Sequence, residues 1–308
     1  MSYRLKKSES VPHGIKRVAM EQIESAIEQL ARGKDRVEAI HEARKSIKRI
    51  RGALRLVQCE LGATYHLENA RLRDVGRGLS SIRDAAAMIE VFDWLIEKHG
   101  VDFAQIRRAL EKSKQQAEQS PGGTQVVSDA IAGLRAIGRR AEDWPLRADG
   151  FGAIAPGMAS TYRRGRKALK KAQQNGSPEL FHGLRKRVKE QWYQVRLLEG
   201  VWTPALEARE RDLKRVETWL GDDHNLTLLQ GELGRESGGY GVLEDVEHFL
   251  TLSMREQTEL RTNAISRSQL LYEEKPKVFV EYIGKIWDEE GAKKRPGRTP
   301  GKTKSAVA

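Results

Sequence analysis

Ile40-His41-Glu42-Ala43-Arg44-Lys45-Ser46-Ile47-Lys48-Arg49-Ile50-Arg51-Gly52-Ala53-Leu54-Arg55-Leu56-Val57-Gln58-Cys59-Glu60-Leu61 is the stretch on which the fold turns. Ile40, Ala43, Ile47, Ile50, Leu54, Val57 and Leu61 step by three and four. That spacing stacks apolar side chains on one face of a helix and makes the seam of a helical bundle. The same period runs through nearly everything between Val11 and Glu290, and alternating β-type runs are essentially absent. The expected fold class is all-α.

The opposite face of this helix carries charge. At about 100° per residue, His41, Arg44, Lys48, Arg51 and Arg55 fall in a band roughly 80° wide, pointing well away from the seam. At about 1.5 Å per residue the band is a line roughly 21 Å long, which suits a chain of phosphates better than one small anion. Only Glu42 opposes six Lys and Arg residues between His41 and Arg55. An ordinary exposed helix mixes signs to gain i,i+4 support. Guanidinium forks hold phosphate oxygens two at a time, ammonium adds a point charge, and imidazole can donate a hydrogen bond and gain a proton beside an anion.

The pattern recurs 141 residues later. His182-x-x-Arg185-Lys186-x-x-Lys189 repeats His41-x-x-Arg44-Lys45-x-x-Lys48, and Leu72, Val75, Leu79 and Ser80 align at the same offset with Leu213, Val216, Leu220 and Gly221. The second seam is Phe181, Leu184, Val188, Gln191, Val195, Leu198 and Trp202, apolar in all but one place. The second ladder is His182, Arg185, Lys189, Trp192 and Arg196, with an aromatic where the first has Arg51; Lys45 and Lys186 flank the two ladders. A repeat of this length makes the molecule two related halves.

The 308 residues divide accordingly into a first helical bundle over 1–148, a second over 149–290 and a disordered basic tail over 291–308, with enough apolar material for two cores. The boundary is expected between Trp144-Pro145 and Gly157. Helix breaks are expected at 33–35, 61–62, 99–100, 120–123, 175–178, 203–204 and 238–239, giving about five helices per half. Ser177-Pro178 reads as the cap and first turn of the second ladder helix. Lys and Arg number 55 against 43 Asp and Glu, a net charge of +12 that predicts polyanionic partners. The single cysteine, Cys59, excludes an internal disulfide framework and fits a reducing compartment. No apolar leader or stretch of roughly 20 apolar residues is present, so a cytoplasmic location and no membrane partner are expected.

At these residues the chain resembles the CHAD family, the conserved histidine α-helical domain. The resemblance rests on the two His-x-x-Arg-Lys-x-x-Lys segments, on Leu79-Ser80-Ser81-Ile82-Arg83-Asp84 and Leu220-Gly221-Asp222-Asp223-His224-Asn225, and on the duplication. It implies two related four-helix-type bundles about a pseudo-twofold axis, with a basic central channel that binds inorganic polyphosphate, and it associates the chain with polyphosphate granules. The implied lining is His41, Arg44, Lys48, Arg51 and Arg55 with His182, Arg185, Lys189 and Arg196, with Lys45 and Lys186 beside them. Arg163, Arg166 and Lys170 would contribute from the first helix of the second half. Trp192, and Asn225 where an aspartate like Asp84 would stand, depart from strict symmetry.

Signals for catalysis are poor. Glu-x-Glu-x-Lys, the mark of the triphosphatase domain fused to some CHAD proteins, is absent, and Gly297-Arg298-Thr299-Pro300-Gly301-Lys302-Thr303 is one residue short of a P-loop and follows no strand. Asp222-Asp223-His224 reads as an acidic pair at a helix N-terminus rather than a metal site. No metal and no cofactor are expected. His13, His66, His99 and His248 match no motif, and Arg83-Asp84 reads as a helix-start or packing feature. The alternatives are a nonspecific nucleic-acid-binding protein, for which Trp192 and Tyr193 alone beside the ladders suit base stacking, and a polyphosphate-processing enzyme. Neighbouring cations should hold His41 and His182 neutral when the site is empty, so that a bound phosphate draws protons onto them near neutrality.

Overall fold

The computed structural model describes residues 3–6, 8–119, 123–201, 204–235 and 239–292, the side chains of 81–84, 117–119, 123, 124, 201 and 290–292 excepted. The expected basic tail and its P-loop-like run fall outside them, apart from the last turn of the final helix. The first half folds as α1 (Val11–Arg32), α2 (Arg36–Leu56), α3 (Gln58–Leu61), α4 (Ala63–Gly78), α5 (Ser80–His99), α6 (Ala104–Gln119) and α7 (Gly123–Ala141). The second folds as α8 (Phe151–Gln174), α9 (Pro178–Leu197), a 3₁₀ turn at Glu199–Val201, α10 (Pro204–Arg235), α11 (Leu243–Leu271) and α12 (Pro276–Ala292). Among the described residues there is no strand, and no helix is long and apolar enough to cross a membrane. The all-α class is as expected.

The helix ends follow local chemistry. Asp35 caps α2 by accepting from the Val37 and Glu38 amides at 2.8 and 3.1 Å. Gly100 ends α5 in the left-handed conformation, φ 63°. Pro178 opens α9, with Ser177 at the cap position, but the Ser177 hydroxyl makes no capping bond to the helix; its carbonyl takes the Leu180 and Phe181 amides instead. The offset of 141 residues reappears in the elements, since α8, α9 and α10 begin within one residue of the positions it projects from α1, α2 and α4. Where the first half breaks at Leu79 between α4 and α5, α10 runs through the equivalent position without interruption. The first half therefore has more and shorter helices than the five expected.

All the described seam residues are buried: Ile40, Ile47, Ile50 and Leu54 from α2, and Leu184, Val188, Gln191 and Val195 from α9. The cores, however, do not divide one to each half. One core joins Ile15, Ile47, Leu72 and Leu134 to Ile154, Leu184, Leu213 and Ile283. The other joins Phe92, Leu95, Phe103 and Ile106 of α5 and α6 to Leu226, Leu233, Phe249 and Leu260 of α10 and α11. Phe92 stacks on Phe249 with ring centroids 5.1 Å apart. Two bundles packing separately were expected from the size of each half; instead α5, which still packs on α6 and α2 of its own half, also buries apolar side chains against α10. The stretch between α7 and α8 is packed too, with Trp144 and Leu146 buried in the first core, and α8 has begun well before Gly157.

Two glycine contacts bring α2 against the second half. A Cβ on Gly157 of α8 would lie 2.0 Å from the Leu56 carbonyl oxygen, and one on Gly52 would lie 2.8 Å from the Tyr193 Cβ of α9. Only glycine permits the first approach, because backbone cannot give way as a flexible side chain can. Gly157→Ala is expected to cost about 1–3 kcal/mol through forced separation of α8 from α2, read as a lower urea midpoint; an unchanged midpoint would mean that these helices do not approach so closely.

Candidate anion-binding site

Because α2 and α9 touch at Gly52 and Tyr193, their charged faces come together. Lys48 of α2 lies half-buried within electrostatic reach of Lys189 and Arg185 of α9 and of Arg44 on its own helix. Burial first, then these three cations, pull its ammonium down to about 7, with Glu217 acting the other way. Lys48 forms no ion pair among the described residues. Lys186 of α9 is exposed, yet it feels Arg77 of α4 and Arg51 of α2, and its pKa is also lowered, first by burial of its head. Arg51 donates from Nε to Asn69 Oδ1 at 2.9 Å, and burial followed by Arg55 brings it down to about 10. Arg44 donates from Nη1 to the Gly76 carbonyl at 2.6 Å.

Other rungs are held by acid. Arg55 is buried, with Nε 3.2 Å from Glu190 Oε1. Glu190 also takes Arg187 at 2.8 Å and lies 3.9 Å from Arg164. Lys189 Nζ is 2.5 Å, and Arg185 Nη2 3.5 Å, from Oε1 of the buried Glu217, whose Oε2 takes Lys214 at 3.0 Å. Lys45 pairs with Glu42 on its own helix. Arg196 lies over the Trp192 ring at 5.3 Å, and Lys214 at 5.2 Å. The indole N–H of Trp192 donates to Glu210 at 2.6 Å.

The head of the second ladder is an imidazole pair. His182 stacks on His224 of α10 at 4.0 Å, and the buried His182 Nδ1 has no hydrogen-bond partner among the described residues. Burial, then His224, Lys186 and Arg185, lower His182 to about 3; burial, then Arg185 and Lys186, lower His224 to about 4. Asp222 and Asp223 lie mid-helix in α10, not at a helix start as expected. Asp223 is paired with Arg261 at 2.6 Å, and burial raises Asp222 to about 6. His41 is half-buried on α2. The side chains of Arg83 and Asp84 lie outside the described residues.

A family model described as the CHAD domain matches residues 17–234, a span that holds both ladders and the α10 segment beneath the second. The chain belongs to the CHAD domain family. Two solved structures resemble this CHAD chain. The crystal structure of the CHAD domain from the plant Ricinus communis is 17% identical, with a TM-score of 0.56, covering 89% of this chain and 93% of that one. PptA from Streptomyces chartreusis is 14% identical, with a TM-score of 0.57, covering 86% of this chain and 100% of that one. Both likenesses bear on the fold. A comparison with curated proteins gives no match.

Within this CHAD chain, α8 presents a different arginine from those the sequence suggested. Arg163 and Lys170 are exposed, and Arg166 neighbours Tyr162, whereas Arg164 reaches Glu190 beside the ladders. The carboxylates Glu190, Glu210 and Glu217, the Asn69 amide and His224 were not singled out from sequence as partners of the ladders. A helical-wheel reading of one helix does not place the acids of α10 or of the facing surfaces. Tyr193 is buried, edge-on to Tyr3, and so offers no face to a base.

The His182–His224 pair has a consequence for acid stability. Both histidines keep ordinary values near 6.5 when unfolded, so between about 6.5 and 4 the unfolded chain binds more protons and stability falls as pH falls. Asp222, raised to about 6, acts in the opposite sense between its unfolded value and 6. The histidine contribution is therefore the difference between wild type and His182→Gln/His224→Gln. Thermal melts from pH 7 to 4 should fall less steeply in the double variant; parallel curves would show that the rings are as solvated folded as unfolded.

Proposed function

We propose that the surface shared by α2, α4 and α9 binds inorganic polyphosphate without chemically altering it, and that this binding carries the protein to polyphosphate granules. The observation that carries the reading is the meeting of Lys48 and Arg44 with Lys189 and Arg185, with Arg51 and Lys186 alongside, a cluster in which burial and the neighbouring cations lower Lys48 and Lys186. Holding like charges together costs free energy in the empty protein, and a polyanion relieves it. Membership of the CHAD domain family supports the same ligand. His41, the Arg and Lys rungs of both ladders and Lys45 are the proposed contacts; Arg163, Arg166 and Lys170 would act at longer range.

Counterion release should dominate the energetics, with a log-log salt slope on the order of −0.7 to −0.9 per phosphate neutralised, by analogy with nucleic acids. Calorimetric titration with polyphosphates of graded length tests the reading. Affinity should rise with chain length until the ladders are filled and then level off; affinity that ignores length would remove the extended site. The nucleic-acid alternative is weakened by the burial of Tyr193 and by the two cations already on Trp192. In competition, polyphosphate should displace DNA at far lower phosphate concentration, and the reverse order would favour nucleic acid.

A further inference from the structure

The offset of 141 residues that relates the two ladders also relates a second rank of cations, carried on α4 and α10 rather than on the ladder helices. It pairs Arg73 with Lys214, as it pairs Arg51 with Trp192. The folded chain keeps these neighbours together in both halves: Lys214 lies over the Trp192 ring at 5.2 Å, and Arg73 is within electrostatic reach of Arg51. Two hydrogen bonds fix how α4 meets α2, since Asn69 Oδ1 accepts from Arg51 Nε and the Gly76 carbonyl accepts from Arg44. Asn69, Arg73 and Gly76 step by four and three, so Arg73 stands on the α2-facing stripe of α4, between the two bonds. Arg77, one turn further on, is within electrostatic reach of Lys186 of α9. Arg73, Arg77 and Lys214 belong to neither basic line read from the sequence.

We propose that Arg73 and Arg77 of α4, with Lys214 of α10, form an outer rank of phosphate contacts, which a polyphosphate chain reaches once it has covered Lys48 and the cations around it. The proposal rests on the polyphosphate reading and extends the site from the ladders to their rim. The order of engagement follows from burial. An anion gains most where water screens least, so a short chain settles first at half-buried Lys48. The outer cations stand in water: Arg73 and Lys214 are 44% and 51% exposed at the side chain, and Arg77 is exposed too. Arg73 pairs with its exposed neighbour Asp74 at 2.9 Å, a surface ion pair of small worth that a phosphate can displace. Lys214 also meets Glu217 at 3.0 Å. The offset sets Thr218 against Arg77, so the rank carries two cations in the first half and one in the second, and a long chain leans more on α4.

Exposure makes the rank separable from folding. The test is Arg73→Gln/Arg77→Gln, followed by thermal melting and by calorimetry with tripolyphosphate and long-chain polyphosphate over a range of salt. The empty variant should melt as the unaltered protein does. Its affinity for long chains should fall about tenfold, and its log-log salt slope should become shallower by about 1.4 to 1.8, two phosphates at 0.7 to 0.9 each. Tripolyphosphate, held at Lys48, should lose little. Lys214→Gln should flatten the slope by about half as much.

Arg108→Gln/Lys112→Gln removes two exposed cations at the same spacing from α6, and should leave the slope where it was. A slope change as large as that of the α4 variant would reduce the effect to net charge and overturn the proposal. An unchanged slope in Arg73→Gln/Arg77→Gln overturns it as well, and an equal loss with tripolyphosphate would place these arginines among the first contacts rather than the outer ones. If the unaltered protein binds neither phosphate, the functional reading itself fails; if it binds both and the α4 variant matches it, only the outer rank is lost.

Discussion

Lys48→Met is expected to weaken polyphosphate binding by about ten- to a hundredfold at pH 6, one charged contact's worth, while raising the melting temperature of the empty protein. The two effects have opposite signs because they share one cause. Lys48 is half-buried against Lys189, Arg44 and Arg185, which makes its charge costly until an anion arrives. An apolar side chain of similar length removes that cost and the attraction together.

The same residue sets a pH dependence. Its folded value of about 7 lies below the unfolded lysine value near 10.4. Between those limits the unfolded chain holds the extra proton, so stability of the empty protein rises with pH from about 7 upward, and the penalty is complete below 7. Phosphate oxygens favour the charged form, so binding above pH 7 requires proton uptake and affinity falls as pH rises through that window. Lys48→Met should flatten the fall, and Lys48→Arg should abolish it while keeping affinity. A wild-type affinity that is level from pH 6.5 to 9 would place Lys48 outside the bound ligand's field. Proton uptake near neutrality was expected of the histidines, but His182, lowered to about 3, would have to rise by some four units to take part; Lys48 already sits in the window.

The second large effect is on folding. Glu190→Ala should destabilise the protein by about 3–5 kcal/mol, the range for removing one partner of a buried ion pair. Glu190 and Arg55 are each 10% exposed at the side chain, and the same carboxylate holds Arg187 and faces Arg164. Its loss would leave three guanidiniums around one desolvated point where α2, α8 and α9 meet. Urea denaturation should show a lower midpoint with an unchanged slope; a loss below about 1 kcal/mol would reduce the cluster to a surface ion pair. Arg55, a ladder rung by its spacing, is in this light an anchor for α9 as well as a candidate contact.

How much of this was legible in the sequence follows from the range of each interaction. Ile40 to Leu61 announces its helix because an apolar seam is a local periodicity, although Val57 ends α2 and leaves Gln58–Leu61 as a separate turn. The helix stops at Gly33, Gly62, Gly100 and Asn175, the basic line from His41 to Arg55 and the repeat at 141 residues are likewise written in consecutive residues. Membership of the CHAD domain family was legible in the His-x-x-Arg-Lys-x-x-Lys segments for the same reason.

Tertiary structure decided what those charges face. Glu217 lies 28 residues from Lys189 in the chain and 2.5 Å from it in space. Glu190 closes on Arg55 from another helix, and α5, which starts after a helix break at Leu79 that has no counterpart at Leu220, reaches across to bury apolar side chains against α10. Periodicity tells which side of a helix is wet or dry, since each residue turns by a fixed angle. The depression of Lys48 and the restraint of Lys189 depend on burial and on charges brought from distant segments, and only packing supplies those.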